Sequence, residues 1–63
     1  MRLCEFVAKI FGNVSLRVVD TNKFSLMSGK PEELLDTPDM HMWGSCIVTG
    51  YTIDNGCLVV VVR

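Results

Sequence analysis

The chain predicts an α+β fold: an antiparallel sheet of about four strands with helices packed on one face, in the order α-β-β-α-β-β, as a single small domain over residues 1–63. Three observations lead there. Residues 46–63 hold two apolar, β-branched runs joined at Asp54-Asn55-Gly56-Cys57, a strong local code for a two-residue hairpin. Near the start, Leu3, Phe6, Val7, Ile10 and Phe11 recur at helical spacing. From Val14 the apolar period drops from 3.6 to two, the alternation of a half-buried strand.

The first element is an amphipathic helix over residues 3–11, with Glu5 and Lys9 facing water at the favourable i, i+4 spacing. Gly12 is placed to close it as the residue after the C-cap, a role Asn13 can share. Val14, Leu16 and Val18 then alternate with Ser15, Arg17 and Val19, Asp20-Thr21-Asn22-Lys23 reads as a turn, and Phe24 and Leu26 resume the alternation. Residues 14–20 and 23–28 therefore form a first antiparallel hairpin. Ser28-Gly29-Lys30-Pro31 breaks it, and Pro31 with Glu32 and Glu33 suits the first turn of a short helix that plugs Leu34 and Leu35 into the core.

Residues 36–44 carry mixed signals. Thr37 precedes a proline, which disfavours helix there, while Pro38 can itself open a short turn capped by Thr37 or Asp36. Met40, Met42 and Trp43 suit gap filling or a lid over the end of the sheet. Strand character returns at Cys46 and runs to Asp54, with a bulge expected at Gly50.

A turn at Asn55-Gly56 sets the register of the last hairpin: Asp54 opposite Cys57, Ile53 opposite Leu58, Thr52 opposite Val59, Tyr51 opposite Val60, Gly50 opposite Val61 and Thr49 opposite Val62. One face then holds Ile53, Leu58, Tyr51, Val60, Thr49 and Val62, part of which meets the helices. The other holds Cys57, Val59, Val61, Thr52 and Gly50. A sheet covered on one side should be polar on the other, and this second face is not. A bulge that reverses the pattern, a central last strand covered on both sides, or an association surface would each account for it.

Composition narrows the function. A chain of 63 residues buries only about 60% of its unfolded surface, so its core gains from a supplement such as a partner subunit. Cys4, Cys46 and Cys57 are odd in number and lack the C-x-x-C spacing of a zinc or redox site, which favours a reduced, cytoplasmic chain. No secretory leader is expected, since Glu5 and Lys9 interrupt the stretch that would be its apolar segment. No membrane span is expected either, since the longest apolar run has six residues, residues 57–62.

Net charge is −1, and Arg2, Lys9, Arg17, Lys23, Lys30 and Arg63 are scattered, a poor footprint for nucleic acid. Phe24, Trp43 and Tyr51 could in principle stack on single-stranded bases, but only Arg17 and Lys23 lie near Phe24 in the expected hairpin.

Catalytic constellations are weak. His41, Asp39 and Cys46 spell a thiol triad on paper, yet Cys46 opens a core-type strand and a free cysteine usually behaves as a small buried hydrophobe. Glu32, Glu33, Asp36 and Asp39 are explained by the positive end of a helix dipole. Gly29-Lys30 lacks the glycine spacing of a phosphate loop, and one histidine with three dispersed cysteines makes no four-coordinate metal set. No catalytic residue, cofactor, metal or small-molecule substrate is expected.

The order Ile10-Phe11-Gly12-Asn13-Val14, Arg17-Val18-Val19-Asp20, Gly29-Lys30-Pro31-Glu32-Glu33-Leu34-Leu35 and Asp54-Asn55-Gly56-Cys57-Leu58-Val59 resembles a group of short uncharacterised proteins from phages and mobile elements of gut Gram-positive bacteria. The resemblance implies a small accessory protein and carries no site residue across. The chain departs from the group in its last strand, which is more acidic there and is all valine at residues 59–62 here.

The function expected from all of this is a non-enzymatic interaction module, a homo-oligomer or a protein that docks on a larger one. Its surface would be Thr52, Cys57, Val59 and Val61, together with an exposed strand edge. The alternative is a nucleic-acid-associated regulatory protein using Arg17, Lys23 and Phe24.

Overall fold

Two hairpins close as their turn chemistry dictates, and the segment between them decides how they meet. The computed structural model of the chain describes residues 1–10 and 13–63. Its elements are α1 (Leu3–Ala8), β1 (Ser15–Val19), β2 (Ser25–Gly29), α2 (Pro31–Leu35), α3 (Pro38–Trp43), β3 (Val48–Asp54) and β4 (Cys57–Val62). The class is α+β with a four-stranded sheet and helices packed against it, and the order differs from expectation only by α3.

The sheet runs β2-β1-β4-β3. Both hairpins are antiparallel, but the central pair, β1 and β4, is parallel, so the sheet is mixed rather than antiparallel throughout. The cause is the connection. Each hairpin contributes its inner strand to the centre, which leaves β2 and β3 on opposite edges running in the same direction. The chain between them must climb back over the sheet, and same-direction strands need a crossover of a dozen or more residues, here built from α2 and α3.

The hairpin turns follow local chemistry. Asn55 and Gly56 take φ of 52° and 76°, the paired positive values of a type I′ turn. At the first hairpin the Asp20 Oδ1 accepts from the backbone N–H groups of Asn22 at 2.8 Å and Phe24 at 3.0 Å, and Lys23 takes φ of 67°. The register of β3 on β4 is as expected from Gly50–Val61 to Asp54–Cys57. Beyond it a bulge between Val48 and Gly50 places Val48, not Thr49, opposite Val62. The Thr49 hydroxyl donates to the Val61 carbonyl at 3.2 Å.

The core lies between the helices and one sheet face. Leu3 and Val7 of α1, Leu34 of α2 and Met40 of α3 bury against Leu16, Val18, Met27, Val60 and Val62. The α1 stripe is as expected, with Phe6 and Ile10 half-buried beside it. Lys9 is its C-cap, and the expected extension to Phe11 and closure at Gly12 lie outside the described residues.

Leu35 is a correction, being 39% exposed. Successive helical side chains point about 100° apart, and with Leu34 aimed at the core Leu35 falls at the margin of the buried face. Met42 is likewise exposed, whereas Trp43 packs at the core margin.

At the start of α1 the Glu5 Oε1 accepts the Arg2 backbone N–H at 3.4 Å, while the Leu3 N–H donates to the Cys46 carbonyl at 2.8 Å and the Cys4 N–H to the Gly44 carbonyl at 3.0 Å. This close approach requires glycine at position 44. A Cβ there would run into the Met40 carbonyl oxygen and press the Cys4 Cβ at 3.3 Å, whereas a Cβ at Gly56 would meet nothing within 4 Å. Gly44→Ala should therefore lower unfolding free energy by about 1–3 kcal/mol through overpacking. Gly56→Ala should cost about 1 kcal/mol through backbone strain alone. Urea denaturation of the two variants checks both the losses and their order.

Candidate functional site

The sheet face turned away from the helices is the feature that the core does not use. Three rungs of side chains cross it: Ser15–Cys57–Asp54, Arg17–Val59–Thr52 and Val19–Val61–Gly50, with Ser28 of β2 beside Arg17. The neighbouring rungs, Leu16–Leu58–Ile53 and Val18–Val60–Tyr51, point the other way. Val60 is fully buried in the core, while Val59 and Val61 are half-buried.

A shallow concavity of about 460 Å³ opens on this face. Val19, Val59 and Val61 line it together with Arg17 and Lys23, and the residue 52–54 end of β3, with Thr52 and Asp54 on this face, completes it. Val19 is only 7% exposed, yet it does not belong to the cluster of residues packed under the helices. Gly50 adds no side chain above Val61, and a Cβ at that position would meet nothing within 4 Å.

The loop that carries Lys23 is fixed from below. Besides its two carboxylate hydrogen bonds, Asp20 donates its backbone N–H to the Phe24 carbonyl at 3.1 Å and accepts the Lys23 N–H at 3.0 Å. Lys23 is thus held at the edge of the concavity rather than on a free strand end.

Of the four surface residues expected from sequence, Thr52, Val59 and Val61 line the concavity, and Cys57 shares their face one rung below. The strand edges are β2 and β3. The start of β3 is covered by the N-terminal backbone, through an Arg2–Ile47 bridge and a 2.9 Å bond from the Val48 N–H to the Met1 carbonyl.

Arg17 and Lys23, expected only in connection with nucleic acid, prove to border the same valines. The aromatics do not join them as a platform. Tyr51 lies on the helix side, its ring 5.6 Å from that of Phe6, and Trp43 packs against the core, leaving Phe24 exposed beside Lys23.

The paper triad is spread over α3 and its exit: His41 and Asp39 are exposed, and Cys46 is half-buried against the core. Among the described residues no group of three His, Cys, Asp or Glu side chains comes together as a metal ion would need. Glu32, Glu33, Asp36 and Asp39 are all exposed on the helical side of the molecule. No helix among the described residues is long and apolar enough to cross a membrane.

No protein-family model, curated protein or solved structure matches the chain.

Removing the Asp20 carboxylate should loosen the Lys23 loop without touching the helix side. Asp20→Ala is expected to cost about 1–2 kcal/mol, the worth of a capping carboxylate, and to speed amide exchange at Asn22 and Phe24 selectively. Hydrogen exchange followed by NMR reads the local effect, and unchanged exchange at those two amides would contradict the role given to Asp20.

Proposed function

We propose that the chain is a non-enzymatic interaction module, an accessory protein of bacterial or phage type that works in the cytoplasm by self-association or by docking on a larger protein. The open sheet face is its contact surface. The observation that carries this reading is Val59 and Val61, half-buried on a face that no helix among the described residues covers. Cys57 and Thr52 extend that surface along β4 and β3. An apolar patch rimmed by polar side chains is a usual mark of a protein contact.

Two neighbouring positions test it. Val61→Lys puts an ammonium on the open face and should leave the fold intact by circular dichroism. Val60→Lys, one position earlier, puts it in the core and should unfold the chain. Under self-association, the parent sediments as a dimer or larger at micromolar concentration and Val61→Lys shifts it to the monomer. A Val61→Lys chain that associates as the parent does would move the contact surface elsewhere.

The second reading is a nucleic-acid-associated regulator. It is favoured by the convergence of Arg17 and Lys23 on one concavity, with Phe24 exposed beside them. It is weakened by Asp54 in the same concavity and by the position of Tyr51 and Trp43 on the other side. It requires a salt-sensitive mobility shift with single-stranded oligonucleotide that Arg17→Glu reduces; no shift at low salt would dispose of it.

A further inference from the structure

The two edges of the sheet are protected unequally. β2 is 5 residues long and lies between Lys23 and Lys30, a short, charge-flanked strand of the kind that discourages pairing with another chain. β3 is 7 residues long, and from Thr49 to Ile53 it carries neither charge nor proline. Its start is covered by the Met1 carbonyl on the Val48 N–H and by the Arg2–Ile47 bridge. The register fixes which groups of the remainder are free. The two-residue turn makes Asp54–Cys57 a hydrogen-bonded pair, so Thr52–Val59 and Gly50–Val61 are hydrogen-bonded pairs as well. The N–H and carbonyl groups of Tyr51 and Ile53 then point away from β4. Among the described residues no backbone group meets them there. Their side chains are open too: Tyr51 is 66% and Ile53 75% exposed, and the Phe6 ring lies 5.6 Å from that of Tyr51.

We propose that β3 pairs antiparallel with β3 of a second copy about a two-fold axis at Thr52, joining the two sheets into one. Tyr51 of each copy then exchanges N–H and carbonyl bonds with Ile53 of the other. A two-fold pairing that uses the outward groups can centre on Tyr51, Thr52 or Ile53. Centred on Tyr51, it would set Asp54 opposite Val48, whose N–H the Met1 carbonyl already holds. Centred on Ile53, it would set Tyr51 opposite Asn55, which lies in the turn beyond the strand. Centred on Thr52, it sets Tyr51 beside Ile53 on both sides of the axis and Asp54 opposite Gly50, with no like charges opposed. The edge is therefore its own complement, and an isologous pair closes without building a filament. This goes beyond the reading above, since the copies join at an edge and not through the open face. Their two open faces, each with Val59 and Val61, then lie side by side on one surface.

The test is sedimentation of the full chain and its variants from micromolar concentration upward, with amide exchange read by NMR. The parent should reach a dimer. Ile53→Lys, at an exposed side chain, and Ile53→Pro, which removes an N–H that faces away from β4, should each weaken association at least tenfold with circular dichroism unchanged. Exchange at the Tyr51 and Ile53 amides should slow as the parent concentration rises, while the Thr52 amide, already bonded within the monomer, should not respond. Thr52→Cys should give an intermolecular disulfide at position 52 with oxidised glutathione. Opposed residues of a non-hydrogen-bonded pair lie about 4.5 Å apart at Cα, within the span of a disulfide.

A parent that stays monomeric, with the Tyr51 and Ile53 amides exchanging freely throughout, would overturn edge pairing and leave the open face as a docking surface. Association lost in Val61→Lys and kept in Ile53→Lys would also overturn it, and would place self-association on the open face. A dimer that protects the Tyr51 and Ile53 amides yet forms no disulfide in Thr52→Cys would overturn the axis at Thr52.

Discussion

The parallel pairing of β1 with β4 is the constraint on which the rest of the molecule depends. It sets Leu16 beside Leu58 and Val18 beside Val60, so that both hairpins place their inner strands on one core. The same pairing sets Arg17 beside Val59 and Val19 beside Val61 on the reverse side. Core and candidate surface are thus two sides of one ladder, and a shift of β4 by one residue against β1 would exchange them. A parallel pair needs a crossover, and the one formed by α2 and α3 lies on one face. Strands that are apolar on both sides usually have helices on both; among the described residues the helices lie on one side only.

The N-terminus is held by two buried side chains and by backbone hydrogen bonds to residues distant in sequence. A helix of six residues has little stability of its own, and α1 sits in place because Leu3 and Val7 are buried and because its first N–H groups reach carbonyls of residues 44 and 46. The Met1 carbonyl bonds to Val48 in β3, next to where α1 begins, and Arg63 exchanges hydrogen bonds with Ile47. Both chain ends therefore meet at the start of β3. Gly44 belongs to this knot, since its missing side chain lets the exit of α3 lie against α1.

Much of this was legible in the sequence because it is local. Turn residues gave both hairpins, the 3.6 period gave α1, and the two-residue turn at Asn55-Gly56 gave the pairings from Gly50 to Asp54. What was not legible is non-local or balanced. Nothing within β1 or β4 announces that they are neighbours, so their parallel pairing, and with it the mixed sheet, escaped a reading of adjacent segments. At α3 the sequence held two opposed signals, a residue before proline and a proline suited to a first helical turn. The second prevailed because Met40 could be buried. The bulge at Thr49 was expected one residue later, at Gly50. For the candidate site, alternation along β4 was enough to find Val59, Val61 and Thr52. Their meeting with Arg17 and Lys23 required the long-range pairing, and the loop geometry at Lys23 required the Asp20 hydrogen bonds.

Val19 is buried, but strand formation alone does not require valine at the half-buried positions 59 and 61. The cluster packed under the helices is complete without them among the described residues, so their hydrophobicity adds nothing to that core. Threonine is β-branched like valine and would serve the same backbone, with a hydroxyl that water could reach at the half-buried positions. Lysine on an open sheet face would also discourage unwanted association. The chain instead keeps aliphatic side chains there, leaves Gly50 bare beside Val61, and sets two cations at the border of the patch. These choices run against the needs of a solvated face while costing the helix-side core nothing, which is the pattern a contact surface would leave.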